Sequence, residues 1–253
     1  MTMPYNIPPK ILYKYRSLKD PHTKCMIAHA EIYFATPDQL NDPLENFFSF
    51  SSGQYRILSE KEFKYIQPSA TPQKKPHGFL VWLTPQERTR LFRFHIKNNS
   101  RGIFSFSENN KQISQYVYYA DGFKGICIGV DWEEFSLMDD DSDPPQKTLP
   151  RKVSYLTNPP EISGKADEWP QVFTTKSTDF SFEKEWRMFY RKGAHSSPDV
   201  RTSIKQIIFG HNTSFEDRAK VKEWIKDIHL IEFFVTEPIL GKFELDIKPY
   251  SFK

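Results

Sequence analysis

Runs that alternate in side-chain character recur from one end of the chain to the other, and they constrain its fold more than any other feature. In "KILYKYRSL", Ile11, Tyr13 and Tyr15 share one face, while Leu12, Lys14 and Arg16 share the other. In "GIFSFS", Phe104 and Phe106 oppose Ser105 and Ser107. Strand side chains point to alternate faces, so period two predicts strands. "GICIGVD" reads as a buried strand, and "KVSYL", "EWRMFY", "KQIIFGHN", "IEFFVTEP" and "KFELDIKPY" as further strands. With 22 Phe and 12 Tyr in 253 residues, a thick core of strands and half-buried grooves is expected.

Helical signals interrupt the strands. Thr36, Pro37 and Gln39 mark a short helix or turn. Ser59 with Glu62, and Thr84 with Pro85 and Glu87, form capping boxes that predict two helices within a helical insertion at about 52–100. Ile113, Tyr116, Val117 and Ala120 fall at helical spacing, with Gly122 as the terminating residue. Thr213, with Glu216 three residues on, caps a last helix whose apolar stripe is Val221, Trp224, Ile225 and Ile228. With neither internal repeat nor flexible linker, the pattern predicts a single α+β domain over 1–253, a mixed or antiparallel sheet core with flanking helices.

Several function classes are disfavoured. No span approaches the roughly 20 apolar residues of a membrane helix, so no membrane partner is expected. The start, "MTMPYNIPPK", lacks the apolar core of a signal peptide. Cys25 and Cys127 form no C-x-x-C pair, which points to a cytoplasmic protein without a zinc site or disulfide framework. The aspartates of "SLMDDDSDPPQK" lack the glycine and distal glutamate of a calcium loop, so no metal is expected. A net charge of +3 tolerates a nucleic-acid partner without demanding one.

Three clusters could carry chemistry. Tyr13, Tyr15 and Arg16 end the first strand, and a guanidinium there suits phosphate; packing explains the tyrosines equally well. Ser105 and Ser107 precede a helix with Tyr116, Tyr118 and Tyr119, whose hydroxyls and rings suit a flat heterocycle. In "FSFEKEWRMFYRKG", alternation places Glu183, Glu185 and Arg187 on one face and Trp186, Met188 and Tyr190 on the other. A carboxylate on a strand beside a groove can stabilise positive charge or act as a base. A structural ladder instead pairs Glu185 and Arg187 with charges on neighbouring strands, and a Glu185 locked in a buried pair with Arg187 counts against an enzyme.

The order of these pieces resembles the ADP-ribosyltransferase superfamily, especially its R–S–E branch. The matching positions are Arg16, Ser105 with Ser107, and Glu183 with Glu185. The resemblance implies a split sheet and NAD as substrate. Arg16 and Tyr15 would lie at a phosphate, Ser105 and Ser107 at the nicotinamide–ribose end, and Tyr116 or Tyr119 against the nicotinamide. Glu185 would stabilise the oxocarbenium-like transition state, and Glu183 would orient or deprotonate the acceptor, an unknown protein or nucleic acid. A one-residue bulge would exchange the two glutamates.

The whole chain also resembles an uncharacterised bacterial family common near phage-defence genes. "YKYRSL", "LNDPLE", "FSFS", "YVYYADGFKGICIGVD" and "FEKEWR" occur in its order. This implies an effector of a toxin or anti-phage system with an antitoxin or defence partner. An alternative is a nucleic-acid-binding or nuclease effector, from Arg90, Arg93 and Lys97 on one helix face with Arg88 and Arg101 nearby; a solvated helix face has the same appearance. A further alternative is a non-catalytic binding or immunity protein.

Overall fold

The computed structural model describes residues 7–29, 31–42, 44–69, 78–99, 102–135, 138–139, 146–165, 168–190, 195–196, 200–226 and 230–252. The chain divides into two compact units. The first takes 1–35, 101–153 and 179–253, and the second takes 36–100 and 154–178. The span expected as a helical insertion lies wholly in the second unit, which is larger than that span and draws on a second chain segment.

The first unit is built on one eight-stranded sheet. Its strands are β1 (Ile11–Arg16), β2 (Gly102–Ser107), β3 (Ile126–Asp131), β4 (Arg151–Lys152), β5 (Glu185–Tyr190), β6 (Ile204–Phe209), β7 (Glu232–Pro238) and β8 (Leu245–Pro249). They lie side by side in the order β4–β5–β2–β1–β3–β6–β7–β8. Only β6 and β7 run parallel; the other neighbours are antiparallel, as a mixed sheet requires. The alternating runs form strands as expected, except that "KVSYL" breaks at Val153 into Arg151–Lys152 of this sheet and Ser154–Leu156, which pairs with Thr175–Ser177 in the second unit; the aromatic and β-branched residues fill both faces.

On one face Leu12, Phe104, Phe106, Ile128, Trp186 and Met188 pack together with Met26 and Ile27 of helix α1 (Pro21–His29). On the other, Tyr15, Cys127 and Ile208 pack with Tyr116 of helix α2 (Ile113–Tyr119) and with Ala120 just beyond it. Helix α3 (Phe215–Trp224) starts one residue later than the cap assigned from sequence. Ser214, not Thr213, accepts the Asp217 N–H (3.1 Å), and the Thr213 hydroxyl instead donates to the Gly125 carbonyl (2.9 Å). Ile228 of the expected stripe is outside the described residues.

The ladder between β1 and β2 has one pair, Tyr13 with Ser107, whereas β2 and β5 pair over six positions, Glu185–Ser107 to Tyr190–Gly102. Both strands continue beyond that pair without joining, so the sheet opens between them.

In the second unit, both capping boxes form. Ser59 and Glu62 start the helix Glu60–Ile66, and Thr84 and Glu87 start the helix Pro85–Asn99. Each helix follows one strand of an antiparallel ribbon, Gln54–Leu58 and Phe79–Leu83, that the sequence reading assigned to a helical region. Its outer face is apolar, with Tyr55, Ile57, Leu80 and Trp82 exposed, so the usual polar–apolar alternation is lost.

Phe104 is buried at 2% exposure between two other rings, Phe34 and Phe106. Phe104→Ala leaves a cavity there, and urea denaturation is expected to show a loss of about 3–5 kcal/mol.

Candidate functional site

The opening gathers the charged residues of the first unit. Lys14 illustrates why. Strand parity puts it on the face of Phe104 and Phe106, an apolar surface unsuited to an ammonium. Its Nζ lies 4.6 Å from the Phe104 ring centre and donates to the Ser105 carbonyl at 2.7 Å. The Ser105 carbonyl faces the side where the β1–β2 ladder stops, so the lysine supplies a donor that backbone would otherwise provide. A carbonyl left without one costs about 1–3 kcal/mol.

Arg16 lies one turn of the pleat further. Its Nη1 pairs with Asp20 Oδ2 at 2.9 Å, while Asp20 Oδ1 accepts the His22 N–H at the start of α1. Arg16 Nε is buried without a hydrogen-bond partner among the described residues. It is a donor in want of an acceptor beside the opening, and an anionic ligand oxygen would fit it.

Glu185 begins β5 opposite Ser107, two positions before Arg187. Arg187 grips it with two parallel bonds, Nε to Oε1 at 2.7 Å and Nη2 to Oε2 at 3.0 Å. The side chains are 6% and 1% exposed. This buried pair is the arrangement that counts against an enzymatic Glu185.

Glu183 does not share the strand, contrary to the alternation in the sequence. It ends the 3₁₀ turn Thr178–Glu183, and Lys184 follows in the left-handed region at φ 45°. This turn replaces the simple period-two geometry. Glu183 is held from three sides. The Tyr119 hydroxyl donates to Oε1 at 2.7 Å, and its carbonyl accepts from the Ser107 hydroxyl at 2.6 Å and from Gln115 at 3.3 Å. Ser107 thus positions Glu183.

Two of the expected ligand residues are packed in the core. The Tyr116 ring is fully buried, edge-on to Tyr15 at 4.8 Å and stacked on Phe123 at 4.9 Å, and cannot receive a nicotinamide. Tyr15 is 4% exposed and its hydroxyl donates to the Asn109 carbonyl at 2.7 Å. Tyr119 is the tyrosine that reaches the glutamates. The structure therefore brings together Ser105, Ser107, Tyr119, Glu183 and Glu185, with Arg187, on or beside β2 and β5, while Arg16 and Lys14 project from β1 on the opposite face, that of Phe104. The sequence reading gave neither Lys14 nor Arg187 a role in the site. A lysine on the apolar face of an alternating strand was the available signal.

The arginines proposed for nucleic acid behave differently. Arg90 and Arg93 are exposed, and lie over the rings of Tyr65 (5.0 Å) and Phe47 (4.0 Å). Arg88 turns inward over Phe50 at 3.8 Å. Lys97 lies on the same helix, with a side chain outside the described residues, and Arg101 is outside them altogether. No group of three or more His, Cys, Asp or Glu able to hold a metal occurs among the described residues, and no described helix is long and apolar enough to cross a membrane.

A family model described as "Protein of unknown function (DUF2971)" matches residues 115–188. The matched segment holds Tyr119, Glu183, Glu185 and Arg187, and leaves β1 and β2 outside it. No curated protein and no solved structure matches the chain.

Two outcomes follow. Arg187→Ala strands the buried Glu185 charge and is expected to cost about 3–5 kcal/mol in chemical denaturation, a loss largely recovered in the double variant Glu185→Leu with Arg187→Met. Burial, with Arg16 adding to it, pushes Lys14 down from 10.5 to about 7, against the opposing pull of Glu185, Asp20 and Glu183. From about pH 7 to about pH 10 the unfolded chain then binds more protons than the folded one, so the Lys14 contribution to stability rises with pH across that window. Urea titrations of wild type and Lys14→Met are expected to show the wild type gaining on the variant as pH rises, with no further change below about pH 6.

Proposed function

We propose that the first unit cleaves NAD in the manner of an ADP-ribosyltransferase, at the opening between β1 and β2. The observation that carries this reading is the convergence of the three motifs. The Arg16 strand and the Ser105–Ser107 strand flank the opening, the Glu185 strand is the next neighbour of the latter, and the resemblance implies a split sheet at such a site.

In this reading Arg16 offers its unpartnered Nε to a phosphate oxygen, with Lys14 as a second cation nearby. Glu185 accepts a hydroxyl of the nicotinamide ribose. Its charge, fixed in place by Arg187, stabilises the positive charge that develops on the ribose. The bond from ribose C1′ to the nicotinamide nitrogen breaks, and its electron pair leaves with nicotinamide. The acceptor bonds to C1′ and gives its proton to Glu183, which Tyr119 orients. With water as acceptor the outcome is hydrolysis. A toxin or defence effector is a setting consistent with either outcome.

The bidentate Glu185–Arg187 pair favours a second reading, in which the cluster is structural and the unit serves as a binding protein. Nicotinamide release from NAD, alone and with cell extract, RNA or DNA, separates the two. Wild type is expected to release nicotinamide, and Glu185→Gln to lose about 10²–10³-fold of the rate. A wild type silent with every acceptor sinks the transferase. Because Glu185→Gln also disturbs a buried pair, the Glu185→Gln, Arg187→Met double variant accompanies it: stability is expected to return and turnover is not.

A further inference from the structure

The second unit contains a concavity of about 280 Å³ whose wall is part aromatic and part cationic. Trp169 and Phe92 stack face to face at 4.0 Å and 18°, and form its aromatic side. Arg56, Arg88 and His95 contribute the nitrogen-bearing side. Such a space, near the lower end of small-ligand pockets of roughly 300 Å³, suits one nucleotide better than a larger cofactor.

Arg88 is held in place without a counter-charge. Its guanidinium lies 3.8 Å over the Phe50 ring, with Nη1 donating to the Ser52 carbonyl at 2.6 Å and Nη2 to the Ser163 carbonyl at 3.2 Å. Gly164 makes room for it. That residue has φ +101°, and a Cβ there would stand 2.9 Å from Arg88 Nη2. Among the described residues no carboxylate pairs with Arg88.

Arg56 then adds a second guanidinium to the same concavity. Burial first, and the charge of Arg56 second, push the Arg88 pKa down, so the two cations oppose each other. The nearest acid is Glu62, 3.6 Å from Arg56 Nη2. Its oxygens already serve Ser59 N–H and hydroxyl at 2.7 and 2.6 Å, and His95 Nε2 at 2.8 Å. Two guanidiniums turned towards one space, with a single shared carboxylate on one side, is an arrangement that an anion between them relieves.

We propose that this concavity binds a nucleotide, its phosphate between Arg56 and Arg88 and its base along the Trp169–Phe92 wall. The shared chemistry is a phosphate joined to a flat heterocycle. It comes from a free mononucleotide or from the phosphorylated end of a single strand. Aromatic stacking holds any base, so selectivity resides in the phosphate. The site is independent of NAD cleavage in the first unit.

Calorimetry on the full chain tests it with four probes: AMP, inorganic phosphate, adenosine, and a 5′-phosphorylated oligoadenylate. AMP is expected to bind roughly tenfold tighter than phosphate or adenosine alone, and to weaken as salt rises. Arg56 is half exposed and, among the described residues, its one ion pair is the long Glu62 contact, so Arg56→Gln is expected to fold normally by circular dichroism. It is expected to weaken AMP roughly tenfold, while Arg56→Lys falls between. Binding of AMP retained in Glu185→Gln separates this site from the first unit. An oligonucleotide at least tenfold tighter than AMP assigns the site to strand ends, and equal affinity assigns it to free nucleotides. Absence of heat with AMP and oligonucleotide at about 1 mM overturns the proposal, as does unchanged affinity in Arg56→Gln.

Discussion

The single backbone pair between Tyr13 and Ser107 is the constraint on which the rest of the first unit turns. A sheet whose two middle strands part company leaves backbone acceptors facing a gap. They must be met by water, by side chains or by a ligand. Lys14 meets one of them, at the Ser105 carbonyl. Beyond β2, the buried carboxylates of Glu185 and Glu183 are met by Arg187 and by the Tyr119 hydroxyl.

Cost argues for function at this place. Removing a charge from water carries a penalty of several kcal/mol, and a buried ion pair seldom improves on well-packed apolar residues. The remainder of this sheet shows that apolar packing is available, with Trp186 and Met188 alternating on the same strand as Glu185 and Arg187. A charged pair at that position is compatible with a ladder, yet the unpartnered Arg16 Nε is not explained by a ladder at all. In the proposed reading a phosphate oxygen meets it.

Much of the fold was legible in the sequence. Period two at 11–16 and 102–107 gave the two strands that frame the opening, and at 185–190 the strand next to them, and the helix Ile113–Tyr119 followed from its apolar spacing. The ribbon of Gln54–Leu58 and Phe79–Leu83 was not legible, because apolar residues on its exposed face erase the alternation that marks a half-buried strand. Glu183 was misplaced for a local reason. Lys184 adopts a left-handed backbone, and side-chain alternation does not survive such a residue.

The sequence by itself determined which residue types were available: an arginine after two tyrosines, two serines on a phenylalanine strand, two glutamates before a tryptophan. It determined the strands as well, since alternation is a local property of a chain. Only the tertiary structure decided what those residues do to one another. Tyr15 and Tyr116 became core, Ser107 came to position Glu183, and Arg187 took both oxygens of Glu185. Arg88 and Arg56 came to share a cavity although 32 positions separate them. The physical reason is the same throughout. Charge and hydrogen-bonding capacity are fixed by residue type, but whether they are spent inside the protein or kept for a ligand depends on neighbours brought in from distant parts of the chain.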